Sequence, residues 1–195
     1  MCNFIKNHPM TTTEFIEIWK KYLELYLTPD FIIKYWDKNS EWTNNFFNKE
    51  YLKKIFNNSN IEFEYRKIDM VVYSKEKYIN INNFDNSGNI KSDYPLCLDL
   101  VVEHENNYQN CFEEIRKLTE IKAKLKVLIS YPPNDVESKK ALCEKMSKGI
   151  KQSNFYFPEN DRTEYLLIFG YEKPELWEFI GFDTFGNKIN YNNKF

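Results

Sequence analysis

The period of the apolar residues changes repeatedly along this chain, and that alternation limits what it can fold into. Phe15, Ile18, Trp19, Tyr22 and Tyr26 recur at helical spacing behind Thr11 and Glu14, a capping-box pair. Thr28-Pro29 restarts a helix carrying Phe31, Ile32, Tyr35 and Trp36, with threonine as N-cap and proline at the first helical position. Ser40 is expected to cap a third helix carrying Trp42, Phe46, Leu52 and Ile55, stopped by the polar run Asn57-Asn58-Ser59-Asn60. From Ile61 to Tyr73 the text becomes IEFEYRKIDMVVY, the aromatic and β-branched composition of one strand or two. A short strand at Tyr78–Ile81 and a turn at Asn86-Ser87-Gly88-Asn89 follow, and LCLDLVVEHEN from Leu96 is a second clear strand.

Helical spacing then returns. Phe112, Ile115, Leu118, Ile121 and Leu125 predict a helix from Cys111 to Leu125, ahead of the apolar strand KVLISYPP. Leu142, Met146 and Ile150 predict another helix over Val136–Lys151. Strands at Tyr165–Phe169 and Leu176–Phe182, separated by Gly170 and Pro174, predict a closing antiparallel hairpin. Helices and strands that alternate in this way give a mixed α/β class. The 195 residues are expected to form a single domain: a helical part over 1–60, a core over 61–131, and a helix plus hairpin over 132–195.

Composition excludes several classes. With 42% hydrophobic and 17% aromatic residues the chain can bury a core, so general disorder is ruled out. No apolar run approaches the roughly 18 residues that span a bilayer, so no membrane partner is expected. The start MCNFIKNHPMTTTEF has neither the basic nor the apolar region of a secretory signal, so a cytoplasmic location is expected. Lys and Arg number 27 against 29 Asp and Glu, for a net charge of −2, which gives no global attraction to a polyanion. Cys2, Cys97, Cys111 and Cys143 form no C-x-x-C pair and have no histidine at a telling spacing, so neither zinc nor thiol chemistry is indicated. Glycine-rich phosphate loops, G-x-S-x-G and H-E-x-x-H are absent.

Chemistry concentrates between Ile68 and Tyr131. Asp69 interrupts an apolar run, and an unpaired buried carboxylate is costly. In the next strand Asp99, Val101, Glu103 and Glu105 share one face by period two, while Leu98, Leu100, Val102 and His104 share the other. Carboxylates so close repel one another unless a cation neutralises them or protons bind, which is the physical case for a divalent metal.

Asp69, then Glu103-His104-Glu105, then a helix and an apolar strand, resembles the PD-(D/E)xK nuclease superfamily, which includes many restriction endonucleases. The resemblance covers the middle third of the chain and implies a restriction-endonuclease-like central mixed sheet with helices on both faces. It implies that Asp69 and Glu103 bind Mg2+, with Mn2+ as a substitute, and that the backbone carbonyl of His104 completes the shell. The implied catalytic set is Asp69, Glu103 and Glu105. Two positions depart from the family pattern. Ile68 replaces a proline, and Glu105 stands where the family carries lysine, a change also found in some active restriction enzymes. Other members carry the lysine on the following helix, where Lys117, one turn after Glu113, is available. The implied activity is metal-dependent phosphodiester hydrolysis, of DNA ahead of RNA, in restriction, defence or repair. A homodimer is the common form of enzymes that cut both strands of a symmetric site.

Plainer readings stand beside this one. One Asp and an E-x-E on strands also describe ordinary carboxylates on a half-exposed sheet face. A fold of this type that acts only by binding protein or nucleic acid, with Glu105 marking a decayed site, is the alternative function; hydrolysis of another phosphoester is a third. His104, beside Val102, is expected to be a satisfied core or edge histidine, and Asp99 structural. His8 carries no expectation. The N-terminal aromatic residues are expected to pack rather than stack on bases. The stretch KLTEIKAKLK from Lys117 is expected to be a solvated basic face.

Overall fold

The structure, a computed structural model, describes residues 10–57, 59–74, 78–80, 93–95, 98–156, 158 and 163–189. Cys2, His8, Ile81, the turn at Asn86–Asn89, and Leu96 and Cys97 lie outside them. Four helices lead: α1 (Thr12–Tyr26), α2 (Pro29–Tyr35), α3 (Asn39–Phe46) and α4 (Lys49–Ile55). The capping box at Thr11 and Glu14 forms in full, and the Thr28 side chain caps α2 with Pro29 at its first position. The single helix expected after Ser40 is two. The backbone turns extended at Phe47, and the Asn48 side chain accepts from the Tyr51 N–H, so the asparagine starts α4 instead of continuing α3. Lys38, with no side-chain cap, precedes α3.

Strands β1 (Ser59–Tyr65) and β2 (Ile68–Ser74) form an antiparallel hairpin, and β3 (Tyr78–Asn80) pairs with β4 (Asp93–Pro95). Next come β5 (Leu98–Glu105), α5 (Cys111–Glu120), β6 (Ala123–Ser130), α6 (Val136–Tyr156), β7 (Glu164–Phe169), β8 (Glu178–Phe182) and β9 (Lys188–Ile189). Helix α5 therefore ends five residues earlier than its apolar spacing predicts, and Leu125 belongs to β6. Buried residues on both faces of β6 imitate a continuing helical stripe. Helix α6 runs to Tyr156, and Pro174–Leu176 form a 3-10 turn that delays β8 to Glu178.

Among the described residues the main sheet has the order β1-β2-β5-β6-β7-β8-β9. Its centre, β5-β6-β7, is parallel and its flanks are antiparallel, so the sheet is mixed. The crossovers β5–α5–β6 and β6–α6–β7 advance in the same direction, and right-handed connections then place α5 and α6 on one face. Helices α1–α4 cover the other face. The Thr12 hydroxyl bonds the Glu164 carboxylate of β7, and Phe46 stacks on His104 of β5 at 4.3 Å. No helix among the described residues is long and apolar enough to cross a membrane.

Candidate metal and phosphate site

Residue alternation places Asp69, Glu103, Glu105 and Asp99 on the α5 side of the sheet and His104 on the other. The antiparallel pairing of β2 with β5 runs from Val72–Leu100 to Met70–Val102 and stops there. One position further, Asp69 and Glu103 stand across from each other where the strands cease to pair. The Asp69 carboxylate takes over as acceptor, receiving the His104 backbone N–H at 2.6 Å. Across the hairpin, Glu64 occupies the position opposite Asp69, and there too the ladder skips a pair.

Helix α5 completes the cluster. Lys117 sets its Nζ 2.9 Å from Glu103 Oε1 and forms an ion pair with Glu114 one turn earlier on the same helix. It also donates to the Lys67 carbonyl at 3.2 Å. Glu103 is 1% exposed and Lys117 26%. Glu103 and Glu114 thus pair with one ammonium while Asp69 lies within its electrostatic reach, an excess of two negative charges if all three carboxylates are ionised.

The electrostatics follow from that excess. Burial raises the Asp69 carboxyl to about 6 against the pull of the His104 N–H, with Glu64 and Glu114 adding to the rise and Lys117 opposing it. Glu103 is raised further, to about 9: burial is the main cause, Lys117 pulls it down, and Asp69 and Glu114 add to the rise. Burial works against the Lys117 ammonium, but Glu114 and Glu103 outweigh it and its pKa is raised.

The other candidates take different places. Glu105 turns its carboxylate onto the Asn107 N–H at 2.6 Å, capping the loop that enters α5. The acidic neighbours of Glu103 are Asp69 and Glu114. Asp99 pairs with Lys124 at 3.2 Å, a structural contact far along the strand. His104 is a core residue as expected: its Nε2 lies 2.7 Å from the Tyr131 hydroxyl, and burial lowers its pKa to about 3, so it is neutral. Burial pushes the Cys111 thiol up to about 12, unsuited to nucleophilic work. Trp19, Trp36 and Trp42 pack into the aromatic layer under α1–α4 rather than forming a stacking platform.

The stretch from Lys117 is not one basic face. Lys117 enters the site, Lys124 pairs with Asp99, and Lys126 is fully buried on β6 with its Nζ 3.2 Å from the Tyr165 hydroxyl. Glu114 is the site residue the sequence analysis leaves out, although its spacing of three to Lys117 signals an ion pair on α5.

The donors gathered here are carboxylate oxygens, which suit a hard cation such as Mg2+ better than zinc. Among the described residues, no group of three or more histidine, cysteine, aspartate or glutamate side chains is placed to hold a metal ion. The fit therefore rests on the facing pair Asp69 and Glu103 and on their uncompensated charge. No protein-family profile matches the chain, and no curated protein does.

Proposed function

We propose that this protein is a Mg2+-dependent nuclease of restriction-endonuclease-like fold. The observation that carries the reading is the meeting of Asp69, Glu103 and Lys117 where β2 and β5 part. The order of a strand with Asp69, a strand with Glu103, a helix and a parallel strand is the order the resemblance implies. Asp69 and Glu103 would hold the cation, with the His104 carbonyl as a further oxygen. Bound there, Mg2+ would supply charge to a phosphate oxygen and lower the pKa of a water.

The chain's own residues do the rest. The His104 N–H fixes the rotamer of Asp69, and burial keeps Glu103 from solvent. Lys117 supplies the ammonium whose place Glu105 takes in the tripeptide, and it can hold a phosphate oxygen or the attacking water while Glu114 orients it. Glu105, by shaping the turn into α5, positions that helix. DNA is the expected substrate ahead of RNA.

The test offers supercoiled plasmid, linear duplex, single-stranded DNA and RNA to the purified protein with Mg2+ or Mn2+. Cutting should need the metal and fall on the order of 10³-fold in Asp69→Ala and Glu103→Ala, with folding retained. Metal-independent cutting, or cutting that survives both substitutions, would remove the reading. Nucleic-acid binding without any cutting would favour the non-catalytic alternative.

A further inference from the structure

The hairpin that leads into the site is built from the wrong residues for its shape. Arg66 and Lys67 form a two-residue turn between the paired Tyr65 and Ile68, and both lie in the left-handed region, at φ 50° and 70°. A two-residue turn with positive φ at both positions ordinarily calls for Asn-Gly, because a Cβ is disfavoured there. Glu64, immediately before, has φ 58°. Among the described residues these three are the non-glycine positions with positive φ. Backbone strain gathered in one place, next to a site, points to a reason other than stability.

Position supplies the reason. The Lys67 carbonyl receives the Lys117 ammonium, and Glu64 stands opposite Asp69, so the turn is the rim of the carboxylate cluster. Arg66 and Lys67 themselves are exposed, with the Arg66 guanidinium 5.6 Å from the centre of the Tyr65 ring. A chain of net charge −2 with three carboxylates at its site repels a polyanion, so attraction has to come from local cations at the rim.

We propose that the Arg66-Lys67 turn is the phosphate-binding element of this site, gripping the nucleic-acid backbone beside the phosphodiester that lies over Asp69 and Glu103. The left-handed turn carries two exposed cations next to the rim that its Lys67 carbonyl forms, and arginine and lysine occupy it for their charge at the expense of stability. This rests on the nuclease reading and adds the contact by which the substrate is held.

The test replaces the turn by Arg66→Asn with Lys67→Gly, which suits the same backbone shape and keeps the carbonyl that holds Lys117. A charge-matched control, Lys21→Gln with Lys148→Gln, removes two exposed cations from α1 and α6. Binding of a fluorescent duplex oligonucleotide is followed by anisotropy in EDTA over a range of salt, and cleavage is followed with Mg2+. The turn variant should bind about tenfold more weakly, with its salt slope reduced by about 1.8 for two lost phosphate contacts, while the control is unchanged. It should also melt about 2–4 °C higher as the strain is relieved.

Equal losses in variant and control, unchanged binding in the variant, or a lower melting temperature would each overturn the proposal. If wild type cuts with Mg2+ and the variant keeps its affinity, the turn proposal falls and the nuclease reading stands. If wild type neither binds nor cuts any nucleic acid, both fall together.

Discussion

Among the described residues Lys117 is the cation in direct ion-pair contact with Glu103 and Glu114, and its loss leaves the buried Glu103 and the half-buried Asp69 and Glu114 without that counter-charge. Removing one partner of a buried pair is commonly worth about 3–5 kcal/mol, because the remaining charge is stranded. Lys117→Met is therefore expected to destabilise the protein by about 3 kcal/mol near pH 8. The sign of its pH dependence follows from Asp69. A carboxyl raised from 3.8 to about 6 binds more protons folded than unfolded between those values, so its cost to stability appears as pH rises through that window. Glu103, also raised, acts in the same sense. The deficit of the variant should thus be smaller at about pH 5 than at about pH 8, and Mg2+ should narrow it at the higher pH. Denaturant midpoints at both pH values, with and without Mg2+, measure this, and equal deficits throughout would show that Lys117 does not balance these carboxylates.

At the level of elements, α5 carries the site because it is pressed between the sheet and α6. Gly149 of α6 makes that approach possible: a Cβ there would lie 2.6 Å from Ile115 Cγ2, inside van der Waals contact. Ile115 is buried, so it cannot swing away into solvent. Gly149→Ala gains about 1 kcal/mol of helix propensity but should lose about 1–3 kcal/mol to overpacking. The net expectation is a lower melting temperature, and reduced cleavage as α5 shifts Lys117 and Glu114. Ile115→Leu, which lacks Cγ2, should restore both when combined with Gly149→Ala. A single Gly149→Ala variant more stable than wild type would contradict this packing. The end of α5 also shows why its length was misjudged. Ile121 and Leu125 continue an apolar spacing of three and four, yet β6 is buried on both faces, and a strand with two apolar faces has no period to distinguish it. The break at Phe47-Asn48 is a milder case, since asparagine in sequence is compatible with a helix interior or a cap.

At the scale of the whole molecule, the N-terminal helices are part of one core and not an appendage. Phe15, Trp19, Tyr22, Phe46 and Leu52 are fully buried in the same apolar cluster as Leu100, Val102, Val127 and Ile168 of the sheet. A fragment starting at residue 59 would expose the sheet face that α1–α4 cover, and it should show no cooperative thermal transition. Calorimetry of that fragment decides the point, and a sharp two-state melt would mean that the helices fold apart. Much of this architecture was legible locally. The caps at Thr11 and Thr28, the hairpin within Ile61–Tyr73, and the face shared by Glu103 and Glu105 are dictated by bonds and alternation within a few residues. The facing of Asp69 and Glu103 was legible as a pattern, from carboxylates placed where apolar residues were due. What the sequence by itself determined, then, is the class of the fold, the strands that carry acid, and the side of each strand on which the acid lies. Only the tertiary structure decided which charges meet: Lys117 and Glu114 entering from α5, Glu105 turned to a backbone N–H, Lys126 buried, and a strained Arg66-Lys67 turn at the rim. The physical reason is range. Capping and alternation act between near neighbours in the chain, whereas ion pairing and desolvation depend on which distant segments are packed together.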